Sequence, residues 1–452
     1  MEKNNRIALI PLTLLILGII VRLAYVNYFG FESHPQEYMN YSPGNQSYTH
    51  DLPNHIQYIQ FVANNLSLPE VDKSLEYPQQ PLYYLIMGFF YRILEYFFSS
   101  VGTILGILVW FSAFFSIGAL IFAYFLTKRI SKSVWIQSFI IGLFAFTPAF
   151  VYQAGMIGND PLSAFLSAGT FFFLVCYIQE EKTKNIIASI FLSVLSVFTK
   201  ISGGIIVLTI LLALFYKYKN VQNAIKQKTI LTMIYFVFLV GFLCLGVALY
   251  RAYVPSTGEF RFVESYSYEN QQTDPTRLSY FLNFNLTDLL KEGESYVYGN
   301  ENVARTLPTF LYGSFLFGEY SYQNITDKWP IIKTLMQFII ILGLLFPFGI
   351  IINLFFIKKW SIIDYISAFA VAINLVLIIS FLFRYPSVAN SDFRYFAPSF
   401  LGLLYLSGIG LYRFSERLKK LKFILPILSF SLISLEFLWI AGRIAIKIFA
   451  NV

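Results

Sequence analysis

Apolar residues along the 452-residue chain gather in long blocks instead of the short periodic stripes of a soluble domain. The blocks fall at 7–27, 102–127, 134–152, 161–179, 186–199, 201–216, 229–251, 331–357, 361–383, 395–412 and 423–442. Most can cross about 30 Å of hydrocarbon at about 1.5 Å per residue. The pattern predicts an all-α integral-membrane protein with about eleven transmembrane helices. The first block follows a short basic head, 1–6, with no small-residue cleavage site behind it, and reads as a retained span. Blocks 186–199 and 201–216 are short for independent spans, so a bent hairpin with Lys200 near its apex is expected.

Three segments interrupt the blocks on one side: 28–101, 252–330 and 384–394. In the first, Ile56, Ile59, Val62, Ala63 and Leu66 recur at helical spacing with Asn54, Gln57 and Asn64 between them. That predicts a short amphipathic helix at the membrane interface. Residues 81–98 are apolar too, but Arg92 and Glu95 break them, and the charge parity favours a second interfacial helix over a crossing. Neither long segment has the periodicity of a separate core, and no internal repeat is visible. The expectation is one integral-membrane domain over 1–452, with a first outer loop at 28–101 and a large outer loop at 252–330.

Composition sharpens this. Only 13% of residues are charged and the mean hydropathy is +0.61, where a soluble domain carries about 25% charged residues. An ordinary soluble enzyme is excluded. The net charge of +8 resolves into topology: segments 1–6, 128–133, 180–185, 217–228, 358–360 and 413–422 hold 18 of the 33 lysines and arginines. That side is the cytoplasm. The chain is therefore expected in the cytoplasmic membrane, N-terminus inside, with its polar loops on the outer face and no nucleic acid partner. Cys176 and Cys244 sit in apolar runs, away from any disulfide framework or Cys/His zinc pattern.

Several outer-side residues carry chemistry. Asp51 stands directly before the first interfacial helix, where a carboxylate serves as general base or as a helix cap. Asp160, in Gly158-Asn159-Asp160-Pro161, is the only polar break between two spans, and either lines a site or caps the helix that Pro161 opens. Lys200 at its depth marks a site or snorkels. Arg394-Tyr395 opens a late span, where arginine can clamp a lipid phosphate or anchor the chain at the interface. Glu76, His50 and His55 offer oxygen and nitrogen ligands to a divalent metal, the one cofactor in view. No Gly-rich phosphate loop, His-Glu-x-x-His or Gly-x-Ser-x-Gly occurs. Glu436, inside the last span, reads as a packed or paired polar residue.

Taken in order, these pieces resemble the GT-C glycosyltransferases, membrane enzymes that use polyprenyl-phosphate sugars, in particular the branch of protein O-mannosyltransferases and lipid A aminoarabinose transferases. His50-Asp51-Leu52-Pro53-Asn54-His55 resembles that family's first-loop aspartate and interfacial helix. Leu75-Glu76-Tyr77-Pro78, with Pro81-Leu82-Tyr83-Tyr84 behind it, resembles its acidic residue and proline-aromatic helix. Asn159-Asp160-Pro161 is similar to its second-loop aspartate, Phe198-Thr199-Lys200 with Gly203-Gly204 to its lysine hairpin, and Phe393-Arg394-Tyr395 to its late opening. A weaker likeness returns at 307–320.

The resemblance implies a GT-C-like fold with Asp51 as catalytic base and Asp160 shaping the same cavity. It implies that Lys200 and Arg394 bind the lipid-linked phosphate, that His55, Tyr83 and Tyr395 meet the substrate, and that Glu76 helps hold a metal. Two positions depart from the pattern: Leu52 follows Asp51 where many relatives carry a second acid, and Tyr77 follows Glu76 where the aminoarabinose branch carries lysine. The implied reaction is an inverting transfer of a sugar from a polyprenyl-phosphate donor to a hydroxyl on a glycan, lipid or protein, at the outer membrane face. Rival readings are a flippase or transporter of lipid-linked glycans and a polymerase or ligase using a pyrophosphate-linked donor. The Tyr-, Asn- and Gln-rich 252–330 loop suits sugar stacking in either enzyme.

Overall fold

The computed structural model describes residues 9–29, 52–71, 73–74, 76–218, 224–254, 258–260, 273–292, 306–318, 330–356, 359–386, 390, 392–418 and 420–450. Among the described residues the fold is all-α apart from one two-residue antiparallel pairing, Tyr253–Val254 with Glu259–Phe260. Among the described residues, nine helical stretches are long and apolar enough to cross a membrane. They match nine of the predicted blocks. The other two blocks fall on shorter apolar helices, Val134–Phe146 and Thr183–Thr199.

In chain order the helices are α1 (Ile10–Phe29), α2 (Leu52–Asn65), α3 (Leu82–Glu95), α4 (Val101–Ile130), α5 (Val134–Phe146), α6 (Pro148–Gln153), α7 (Asp160–Glu180), α8 (Thr183–Thr199) and α9 (Gly204–Tyr218). Then come α10 (Ala224–Ala252), α11 (Leu278–Leu282), α12 (Leu286–Glu292), α13 (Leu307–Phe317), α14 (Pro330–Gly343), α15 (Leu345–Phe356), α16 (Ile362–Arg384), α17 (Phe400–Arg417) and α18 (Leu421–Ala450). A 3₁₀ turn, Phe393–Ser399, leads into α17. The chain clusters into two compact units, one of Met1–Val21, Ala123–Tyr152 and Tyr266–Val452, the other of Arg22–Phe122 and Gln153–Ser265.

In the second unit, α2 and α3 form the two predicted short helices. They bury Tyr58, Ile59, Val62 and Ala63 against Tyr83, Tyr84, Met87 and Tyr91, each large apolar side chain contributing about 1.5–3 kcal/mol. Their approach is close: a Cβ on Gly88 would lie 2.7 Å from Val62 Cγ1 and 3.1 Å from the Ile59 carbonyl oxygen. Arg92, which interrupted the apolar run in sequence, donates from Nη1 to the Ala63 carbonyl at 3.1 Å and so pins the end of α2. At the span level, Arg22 is fully buried, its Nε donating to Ser116 Oγ on α4 at 2.9 Å.

In the first unit, where lipid removes the hydrophobic drive between spans, packing relies on small residues and buried polar bonds. α15 and α17 cross where a Cβ on Gly410 would lie 2.0 Å from the Gly349 carbonyl oxygen. Beside that crossing, Asp364 on α16 is fully buried; it closes a capping box with Ser361 and receives Arg413 of α17 in two bonds, 3.0 and 2.9 Å. Arg413 also reaches Asn353 Oδ1 on α15 at 2.9 Å. Glu436 is packed as expected but not paired: both carboxylate oxygens are buried with no hydrogen-bond partner among the described residues. Cys176 is buried.

Candidate active site

The second unit gathers most of the sequence-picked residues at one end of its helices. α7 begins at Asp160 with Pro161 in its first turn, a position proline fills without losing a hydrogen bond. A carboxylate there also faces the favourable end of the helix dipole. Asp160 Oδ1 accepts from Lys200 Nζ, and both side chains are mostly buried.

Lys200 owes its place to the turn it occupies. It is the one residue between α8 and a 3₁₀ turn over Ile201–Gly203, in extended backbone. The chain then folds back so tightly that a Cβ on Gly203 would lie 2.5 Å from the Ser196 carbonyl carbon. Gly203→Ala is therefore expected to force the hairpin open, lowering the detergent-solubilised thermal midpoint by the equivalent of about 1–3 kcal/mol, read by a melting curve.

Asn159 occupies the N-cap position of α7, yet its side chain makes no cap bond. Its amide donates instead to Gln79 Oε1 and, at 3.3 Å, to the Thr199 carbonyl. Gln79 Oε1 also accepts from Tyr84 OH at 3.3 Å. Tyr84 OH lies 2.8 Å from His55 Nδ1 and 3.4 Å from Glu76 Oε2, and His55 Nδ1 lies 3.7 Å from that same carboxylate oxygen. One polar chain thus runs from His55 and Glu76 through Tyr84, Gln79 and Asn159 to the residue preceding Lys200.

Aromatic packing sets its floor. His55 stacks on Tyr84 and Tyr84 on Tyr58, with centroids 5.8 and 3.8 Å apart. Arg251, at the end of α10, donates to Tyr58 OH at 3.3 Å, to the Tyr77 carbonyl at 2.8 Å and to the Pro69 carbonyl at 3.1 Å. It thereby ties Pro69 and Tyr77, the residue after Glu76, to α2. Burial pushes the Tyr58 phenol up to about 12 against the opposing pull of the Arg251 guanidinium, so it is neutral at ordinary pH.

Tyr83, picked from the sequence, is fully buried edge-on to Tyr84; it is Tyr84 whose hydroxyl joins the polar chain. Sequence reasoning did not single out Tyr84, Gln79, Asn159 or Arg251; the first three lie within or beside the quoted motifs, and Arg251 only ends an apolar block. Asp51 and His50 lie outside the described residues. Arg394 and Tyr395 belong to the other unit, where Arg394 lies over the Tyr395 ring at 5.3 Å and the backbone N–H of Arg394 donates to Asp392 Oδ1. For a metal, Glu76 and His55 supply one oxygen and one nitrogen, and the described residues contain no group of three His, Cys, Asp or Glu.

Residues 90–254 match the sequence model of the family dolichyl-phosphate-mannose-protein mannosyltransferase. The match spans 165 of the 452 residues, and that family is one of the GT-C membrane glycosyltransferases. The match takes in Asn159, Asp160 and Lys200, while His55 and Glu76 precede it and Arg394 follows it. No curated protein matches the sequence. Among solved structures, this chain is similar to the oligosaccharyltransferase of Archaeoglobus fulgidus in complex with Zn and sulfate, at 14% identity and a TM-score of 0.49, covering 95% of this chain and 53% of that one. The apo form of that protein gives 14% identity and a TM-score of 0.48, covering 97% and 55%. The chain spans about half the length of that archaeal protein.

Proposed function

We propose that this chain is an inverting glycosyltransferase of the cytoplasmic membrane, N-terminus inside, that works on the outer face. It moves a sugar from a polyprenyl-phosphate donor to a hydroxyl of a glycan, lipid or protein. The observation that carries the reading is the polar chain that runs from His55 and Glu76 through Asn159 to the Thr199 carbonyl, beside the Asp160–Lys200 pair; Asn159, Asp160, Thr199 and Lys200 lie within the family match.

The chemistry follows from the groups present. A polyprenyl chain dissolves in the bilayer, so its sugar-phosphate headgroup waits at the interface and no nucleotide site is needed. Asp51, next to α2 in sequence, takes the proton of the acceptor hydroxyl. The hydroxyl oxygen bonds to the anomeric carbon as the bond from that carbon to the phosphate oxygen breaks on the opposite face. The polyprenyl phosphate leaves with the electron pair, and Lys200 meets the charge that develops on it, in a site where water is scarce and such stabilisation is large. Asp160 holds the Lys200 ammonium in place, and Tyr84 with Gln79 orients His55 and Glu76 toward the bound headgroup. No step runs through a metal, Arg394 or Tyr395.

The test uses the full chain purified in mild detergent. Mass spectrometry of co-purifying lipids is expected to find a polyprenyl monophosphate, with or without one sugar. Asp51→Asn is expected to insert and melt normally and to transfer no sugar from that donor. Unchanged glycan output from the variant, or a pyrophosphate-linked oligosaccharide as the bound lipid, would overturn the reading.

A further inference from the structure

Three consecutive residues at the start of α7 each face a different part of the site. Asp160 pairs with Lys200, Asn159 bridges Gln79 and Thr199, and Gly158 faces His55. The first two are explained by their bonds. Gly158 has neither of the usual reasons for being glycine: its φ is not positive, unlike those of Gly258 and Gly318, and a side chain there would not clash. A Cβ on Gly158 would meet only the imidazole of His55 among the described residues, 3.6 Å from Nε2 and 3.8 Å from Cδ2, which is ordinary contact. The glycines that do need to be small look different: Gly203 and Gly88 each have an atom within 2.7 Å of where a Cβ would lie.

A glycine free of backbone and packing demands, set against a mostly buried imidazole, fits a place where a ligand passes close to the main chain. We infer that Gly158 is a specificity-determining position, leaving clearance along the imidazole edge of His55 for the sugar of the lipid-linked donor. The assignment of the sugar, not the phosphate, to this gap follows from the neighbours. The Arg251 guanidinium is spent on Tyr58, Tyr77 and Pro69, whereas the Lys200 ammonium is held at Asp160, whose Cα is two residues and at most about 7.6 Å from that of Gly158. A phosphate drawn to that ammonium carries its attached sugar ring toward Gly158 and His55, where the imidazole and the Tyr84 stack offer a hydrogen-bonding edge and an apolar face. The inference rests on the proposed transferase reading.

The experiment separates the two. Binding to the purified full chain is measured for a bare polyprenyl monophosphate and for a panel of polyprenyl-phosphate monosaccharides, mannose among them, with wild type and Gly158→Ala compared and the melting midpoint recorded for each. The expected result is unchanged melting and unchanged binding of the bare lipid, with sugar-bearing lipids bound about tenfold or more weakly by the variant, the scale of one added carbon in a filled pocket. Equal binding of every lipid by both proteins would overturn the inference and leave the transferase reading standing. So would a wild type that binds the bare lipid and none of the sugar-bearing ones. Loss of all binding in the variant together with a lowered midpoint would mean that Gly158 serves the fold, which also overturns it. A wild type that binds none of these lipids would overturn the transferase reading and the inference together.

Discussion

Lys200→Met is expected to lower the turnover number for sugar transfer by a factor on the order of 10²–10³, the usual cost of removing a preorganised charge-stabilising group. The chain should still fold. Methionine keeps most of the length and apolar stem of lysine and removes the ammonium that pairs with Asp160. Comparison with Asp160→Asn decides what the pair is for. If Lys200 meets the leaving phosphate and Asp160 only steadies it, the asparagine variant retains the cation and loses far less turnover. If the pair is a structural tie, the two variants should lose stability and activity alike, because each leaves one mostly buried charge without its partner. The double variant Lys200→Met, Asp160→Asn is the fourth corner of the cycle. On the catalytic account it regains stability and stays inactive, and recovery of transfer in that variant would sink the role given to Lys200. Turnover with saturating donor, alongside thermal melts in the same detergent, supplies both readouts.

The asymmetry between what could and could not be read from the residues has a physical origin. Span positions, the two short helices α2 and α3, and the hairpin apex at Lys200 depend on local apolar spacing, which a sequence displays directly. Asp160 and Lys200 were both visible as isolated charges at span ends, but their pairing joins positions 40 residues apart, and no local pattern encodes it. The same holds for Arg251. In sequence it is an arginine at the end of an apolar run; in the fold it donates to acceptors 174 to 193 residues away and ties Pro69 and Tyr77 to α2. Between adjacent tyrosines, helix phase decides which hydroxyl reaches His55, and only the packing of α2 on α3 selects Tyr84 over Tyr83. Asn159 holds the N-cap position of α7 and is of a residue type that commonly caps. Its amide is spent on Gln79 and Thr199 instead, because those acceptors are brought within reach by tertiary contacts.

Asp364→Ala is expected to cost the fold more than any other single change considered, about 3–5 kcal/mol, the range for stranding one member of a buried ion pair. Asp364 lies inside the apolar block 361–383 and was not singled out there, yet its carboxylate joins three helices. Its Oδ2 accepts from the Ser361 backbone and hydroxyl at the start of α16, each at 2.7 Å. Both oxygens receive Arg413 from α17, and Oδ1 also accepts from Asn353 of α15 at 3.4 Å. Removing the carboxylate leaves the Arg413 guanidinium facing the amide oxygen of Asn353 alone, uncaps α16 and loosens the crossing where Gly349 and Gly410 touch. The measurement is the thermal midpoint and the folded yield in detergent, with Asp364→Leu, Arg413→Met as the companion variant. Because that pair removes both charges and replaces them with apolar volume, it should recover much of the loss. If Asp364→Ala melts like the wild type, the network does not hold these helices together. If the companion variant is no better than the single one, the cost lies in the lost cap of α16, since the ion pair is absent from both.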